Sequence, residues 1–228
     1  YKIAEQIERS RTYSKRVGMS RTIEGELEFY YAPRVTACNW LLQNAFGGTI
    51  TSATGTGETV GGGSFTHTFT LGSMDQSYTS LTINMRKGNA ASGKVFEYIG
   101  CRVNELTFSA EIDEPLMANA SVIGKDATTG VASVVAFLTV TAAPLLSFTD
   151  GRVSVETTFN SLTSSSFWHV QAVEFGINNN LQGDSEARRL GTDTVQVLPP
   201  GIAELPLKCT IRFDTTTAWS AMVNATQI

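Results

Sequence analysis

Glu105-Leu106-Thr107-Phe108-Ser109-Ala110-Glu111-Ile112-Asp113 alternates without a break between polar and apolar residues. A period of two places successive side chains on opposite faces of a strand, so this stretch reads as a β-strand with one wet face and one buried face. Ile23-Glu24-Gly25-Glu26-Leu27-Glu28-Phe29 has the same habit, with carboxylates at 24, 26 and 28. Ile23, Leu27, Phe29, Leu106, Phe108 and Ile112 are therefore expected to face the core, and the acids to face away from it.

Working outward, strand-like runs recur at Ser64–Leu71, Leu81–Arg86, Lys94–Ile99, Ala118–Ile123, Val134–Val140, Arg152–Glu156 and Val170–Phe175. Near the end, Leu205, Leu207, Cys209, Ile211 and Phe213 share one face, with Lys208, Thr210 and Arg212 on the other. Gly88-Asn89, Asn178-Asn179-Asn180 and Leu198-Pro199-Pro200-Gly201 punctuate these runs as turns and loops. One helix is expected over Pro33–Phe46. Pro33 suits a first helical position, Ala37, Cys38, Leu41, Leu42 and Ala45 make an apolar stripe, and Gly47 is a natural stop. Ala32 offers no capping oxygen, which weakens the start. Roughly ten strands and one helix, without βαβ alternation, predict an all-β sandwich or barrel with one flanking helix.

Composition agrees. The 228 residues are 42% hydrophobic, enough for a packed core, and only 17% charged. Six of the 17 bases and two of the 21 acids lie in residues 1–21, so the remaining body is about 8 charges net negative. Residues 1–20 read as a basic arm, 21–215 as the β-domain and 216–228, with Trp219, as a C-terminal tail. An acidic body repels phosphate, which argues against a nucleic-acid grip and leaves a solvated arm or one reaching an acidic neighbour. Residues 48–64 are rich in Gly and Thr and lack the Gly-Lys-Ser/Thr ending of a phosphate loop. They read as a flexible hairpin or loop, and a stretch this long suits contact with another subunit.

The chemistry-bearing residues are sparse. Cys38, Cys101 and Cys209 are far apart and odd in number, so buried free thiols are expected rather than disulfides or zinc. His67 and His169 have no acid at metal-ligand spacing. No Gly-x-Ser-x-Gly elbow occurs. Glu111, Asp113 and Glu114 would suit a calcium site or a glycosidase pair, but a solvated strand face explains Glu111 and Asp113 more simply. Asn119-Ala120-Ser121 and Asn224-Ala225-Thr226 match the glycosylation pattern, which is common by chance. No run reaches transmembrane length and no signal peptide is read. The expectation is a non-enzyme without cofactor or metal and without a membrane partner. A carbohydrate-binding sandwich would want aromatics clustered on one sheet face, whereas Trp40, Trp168 and Trp219 are scattered.

The order of motifs resembles that of phage tail tube proteins. Ser20-Arg21-Thr22-Ile23-Glu24-Gly25-Glu26-Leu27 is similar to the family's opening strand, and Leu41-Leu42-Gln43-Asn44-Ala45-Phe46-Gly47 to the end of its helix. The central block Tyr98–Ser109, continuing to Ala120-Ser121-Val122-Ile123-Gly124-Lys125-Asp126, is the closest match. Phe175-Gly176-Ile177-Asn178-Asn179-Asn180-Leu181 and Arg189-Leu190-Gly191 resemble later landmarks. The resemblance implies two packed sheets with a flanking helix, six subunits to a ring, and rings stacked into a hollow tube that conducts DNA. Sheets would join edge to edge around the lumen as one ring-shaped β-barrel. It also implies a place in the virion tail, assembly in the cytoplasm of a bacterial host, and tape measure, terminator or sheath proteins as partners. A tail terminator or decoration protein is the nearest alternative.

Two expectations follow. The acidic faces, Glu24, Glu26 and Glu28 with Glu105, Thr107, Ser109, Glu111 and Asp113, should line the lumen. The arm and the Gly-rich stretch should bridge rings through Lys2, Arg9, Arg11, Lys15, Arg16, Gly55, Gly57, Glu58, Gly61 and Gly62. Removing residues 49–63 should then spare the monomer and block polymerisation.

Overall fold

The computed structural model describes residues 23–33, 36–54, 65–73, 79–88, 94–129, 145–151, 153–154, 167–168, 170–183, 188, 190 and 192–212. The expected basic arm, the C-terminal tail, the Val134–Val140 run and His169 lie outside the described residues.

The elements run β1 (Ile23–Tyr30), α1 (Thr36–Phe46), β2 (Gly47–Thr54), β3 (Phe65–Leu71), β4 (Leu81–Lys87), β5 (Lys94–Glu111), β6 (Met117–Gly124) and β7 (Asp126–Thr129). A short 3₁₀ turn at Phe148–Asp150, β8 (Val153–Ser154), β9 (Phe167–Trp168), β10 (Val170–Asn178) and β11 (Leu207–Ile211) follow. The main sheet has the order β1-β6-β5-β10-β11, every neighbour antiparallel, with β4 and β7 also paired to β5. Among the described residues the fold is all-β with a single α-helix, as the alternation and the one apolar stripe predict.

β5 is the spine. Its second half pairs with β6 and β10, its first half with β7 and β4. The change of partners falls at Gly100, whose φ of 66° is a left-handed conformation that costs an L side chain about 1–2 kcal/mol. Opposite it, Lys125 separates β6 from β7 and donates its backbone N–H to the Ile99 carbonyl at 3.1 Å.

The core lies on one face of the sheet. Val103, Leu106, Phe108, Ala118, Ala120, Val122 and Ile177 are buried there with Cys101 and with Ala45 of α1, and Leu41, Leu42 and Phe46 of the helix pack against them. Phe108 stacks on Phe175 with ring centroids 5.1 Å apart and makes a T-shaped contact with Tyr31 at 5.2 Å, contacts worth about 0.5–1.5 kcal/mol each beyond their burial. A smaller cluster of Ile123, Leu181, Val195 and Leu198 carries the segment after β10 over one end of the opposite face. Arg102 donates from Nη1 to the Leu198 carbonyl beside it.

Three asparagines lock these parts together. The ladder between β5 and β6 slips between Val103 and Glu105, an irregularity that takes Asn104 out of step. The Val103 N–H donates to Asn44 Oδ1 at 2.7 Å, and Asn179 Nδ2 donates to the Val103 carbonyl at 3.0 Å and to Ala45 O at 2.8 Å. Asn104 accepts from Asn179 N–H through its carbonyl and from Leu181 N–H through Oδ1. The helix, the spine and the Asn178–Asn180 loop thus meet at one irregularity and satisfy its backbone groups, which would be costly to bury alone.

Several expectations need correction. The helix begins at Thr36, not Pro33, which sits in a turn and accepts from Asn39 Nδ2 at 3.1 Å. β5 ends at Glu111. Ile112 lies in the turn beyond it at 49% exposure, so it does not face the core, and Asp113, with φ 67°, leaves the strand face it was assigned to. Leu27 is 36% exposed, because nothing described covers the sheet at its border. Of the hairpin or loop expected over 48–64, residues 48–54 are strand of a hairpin, most of β2, paired antiparallel with β3 from Gly47↔Leu71 to Thr54↔Phe65. The β-preference of Thr49, Ile50 and Thr51 outweighs the adjoining glycines. Deleting 49–63 would strip β3 of its partner, so only 55–63 remains a suitable deletion. Cys38 and Cys101 are buried, whereas Cys209 is only half-buried, because it sits on the border strand β11.

Candidate functional site

The face of the main sheet turned away from the core is acidic, and its charge comes from strands distant in sequence. In β1–β6 pairing Glu26 lies opposite Ser121 and Glu28 opposite Asn119. In β5–β6 pairing Glu105 lies opposite the same Ser121 and Thr107 opposite the same Asn119. Directly paired residues of an antiparallel sheet share a face. The two acidic patterns, some 80 residues apart, therefore form one surface with β6 between them.

The rows continue across β5. Glu105 faces Asn178, Ser109 faces Glu174, and Glu111 faces Ala172. Glu174 faces Lys208 on β11, with Nζ 3.6 Å from the carboxylate. Both ends of that pair are well exposed, so it is worth at most about 1 kcal/mol. Among the paired positions of this face, Glu24, Glu26, Glu28, Glu105, Glu111 and Glu174 are set against Lys208 and against Arg102, which is buried under the segment after β10. Thr107, Ser109, Asn119 and Ser121 fill the spaces between them with neutral polar groups.

The structure thus brings Glu24, Glu26, Glu28, Glu105, Thr107, Ser109 and Glu111 onto one face and leaves Asp113 in the adjoining turn. Glu174 is the carboxylate that sequence reasoning missed. Its signal was present in the alternation of Val170–Phe175, but a single acid in a strand does not stand out. Glu24 marks one end of the surface, because its partner Ile123 belongs to the buried cluster under the segment after β10.

Crowding acids in this way is tolerable only in water. Glu26 and Glu105 are separated by β6, about 9–10 Å at the usual strand spacing. At that distance their repulsion is about 0.4 kcal/mol in bulk water, and salt screens it further. Packed under a protein layer, the same pair would cost several-fold more. The arrangement therefore suits a surface that stays wet.

The proposed ring-bridging residues Lys2, Arg9, Arg11, Lys15, Arg16, Gly55, Gly57, Glu58, Gly61 and Gly62 lie outside the described residues. His67 is on β3, exposed. Among the described residues no group of three His, Cys, Asp or Glu could hold a metal ion, and no helix is long and apolar enough to cross a membrane. Burial pushes the Cys101 thiol up to about 11, which makes it unreactive at neutral pH.

No curated protein matches this chain. The family model described as phage tail tube protein matches residues 4–228, nearly all of the 228, and so the chain belongs to the phage tail tube protein family.

Proposed function

We propose that this chain is the repeating subunit of a hollow tail tube, with six copies to a ring, rings stacked end to end, and DNA passing through the lumen. The observation that carries the reading is the single acidic face assembled from β1, β5 and β10, on the side of the sheet opposite α1. Turned inward, it would line the channel with carboxylates and neutral hydroxyls and amides and would give phosphate almost no cationic foothold. Screening at physiological salt confines the repulsion of phosphate to about 8 Å from the wall. The helix would then lie outside.

Negative-stain microscopy of the purified chain at high concentration tests the assembly: hollow tubes or six-fold rings are expected, and a persistent monomer would end the reading. A density map of the tube tests the orientation, and finding Glu26 and Glu105 on the outer surface would reject it. The arm and residues 55–63 are proposed to bridge rings. Deleting 55–63 should leave a folded monomer that makes no tubes, and normal tubes would remove that role.

A further inference from the structure

The core face of the main sheet is covered only at its centre. Its rows run Leu27, Ala120, Leu106, Ile177 and Phe29, Ala118, Phe108, Phe175, Leu207. Asn178 bridges Glu204, which sets Leu205 beside Ile177 and on the same face as Leu207. Leu106 is 1% exposed, yet Leu205 and Leu207 at the β11 border are 65% and 69% exposed. The β1 border is bare in a complementary way. A mainly apolar groove of about 310 Å³ lies between β1 and β4, lined by Leu27, Ile83, Met85, Tyr98 and Val122, with Gly25 between Glu24 and Glu26 along its β1 side. A Cβ built on Gly25 would meet nothing within 4 Å, and Met85 at the groove is 51% exposed.

We infer that the groove beside β1 receives the leucine rim of β11, Leu205 and Leu207, from a second copy of this chain. This rests on the tube reading and deepens it, since it names the two surfaces that meet within a ring. Three observations select a second copy. Both apolar surfaces lie on the same face of the sheet, so laying a neighbour's β11 along β1 continues that face and brings the leucines over the groove. The borders also match in charge: β1 carries Glu24, Glu26 and Glu28, while β11 carries Lys208 and is followed by Arg212. Finally, among the described residues no strand pairs with the outer side of β1 or β11, so each offers unpaired backbone groups that a neighbour would satisfy. The contact is head-to-tail, the type that closes a ring by rotation.

Two variants and a labelling experiment test this. Gly25→Leu fills the groove from within at a position with open space, so the monomer should fold normally and polymerisation should fall at least tenfold. Leu205→Asp with Leu207→Asp should do the same from the other side. In Met85→Cys, a maleimide should label the new thiol readily in monomer and at least tenfold more slowly in assembled tubes. Wild-type tubes together with unaffected polymerisation of Gly25→Leu, or equal labelling of Met85→Cys in tube and monomer, would overturn the docking and leave the tube reading standing. A Met85→Cys thiol already protected in the monomer would also overturn it, because the chain itself would then cover the groove. Wild-type protein that forms no tube at all would overturn both.

Discussion

The centre and the borders of the main sheet obey different rules. At β5 and β6 every layer is satisfied: the apolar face is roofed by α1, the ladder is paired on both sides, and the one irregularity is closed by asparagines. At β1 and β11 the same apolar rows continue but the roof stops, leaving Leu27, Leu205 and Leu207 exposed. A chain that ended its evolution as a monomer would have little reason to carry large aliphatic residues past the end of its own core. Among the described residues, the centre is covered by the chain's own helix and the borders are not.

That contrast can be broken in order of expected effect. Leu106→Ala should lower unfolding free energy by about 2–5 kcal/mol in denaturant titrations, as buried Leu deletions do, whereas Leu207→Ala should stay within about 0.5 kcal/mol. Equal losses would erase the distinction. Asn179→Ala should cost about 1–3 kcal/mol, because the Ala45 and Val103 carbonyls lose their donor inside the protein.

The third test is by pH. Cys101 has its thiol raised from 9.0 to about 11 by burial. A raised value means the folded state holds the proton more tightly. The contribution is therefore whole below about pH 9 and is lost as pH rises through about 11. Wild type should lose more stability over that window than Cys101→Ala, and at pH 7.5 a thiol reagent should modify the half-buried Cys209 before Cys101. The smallest effect is on the acidic face. Glu26→Gln with Glu105→Gln should leave the monomer within about 0.5 kcal/mol of wild type, because it relieves only screened repulsion. A large destabilisation would mean that these carboxylates hold the fold instead of coating it.

Much of the fold was readable from residues alone. The alternation at Glu105–Glu111 and Ile23–Phe29 reports strand and face directly, since an extended backbone turns successive side chains to opposite sides and a helix does not. That the two acidic patterns share one surface was not readable, because it depends on β6 lying between them, and pairing order is a long-range fact. The start of α1 and the existence of β2 were obscured by Pro33 and by Gly47-Gly48, which punctuate a chain without saying on which side the element lies. Asn44, Asn104 and Asn179 look like turn or surface residues in sequence. Their role depends on a ladder slip that only the fold creates. That Leu205 and Leu207 share a face was legible, but their exposure was not, because periodicity tells which face a side chain takes and not whether anything covers it.

The strand count along β1-β6-β5-β10-β11 also sets the direction of its borders. With five strands in antiparallel succession, the first and last point the same way as β5. In a cylinder closed through those two strands, each subunit would be internally stitched by antiparallel ladders and joined to the next by a parallel seam, whose bonds are slanted and slightly weaker per residue. Under mechanical load such a wall would split along its seams, shedding intact bricks and not torn ones.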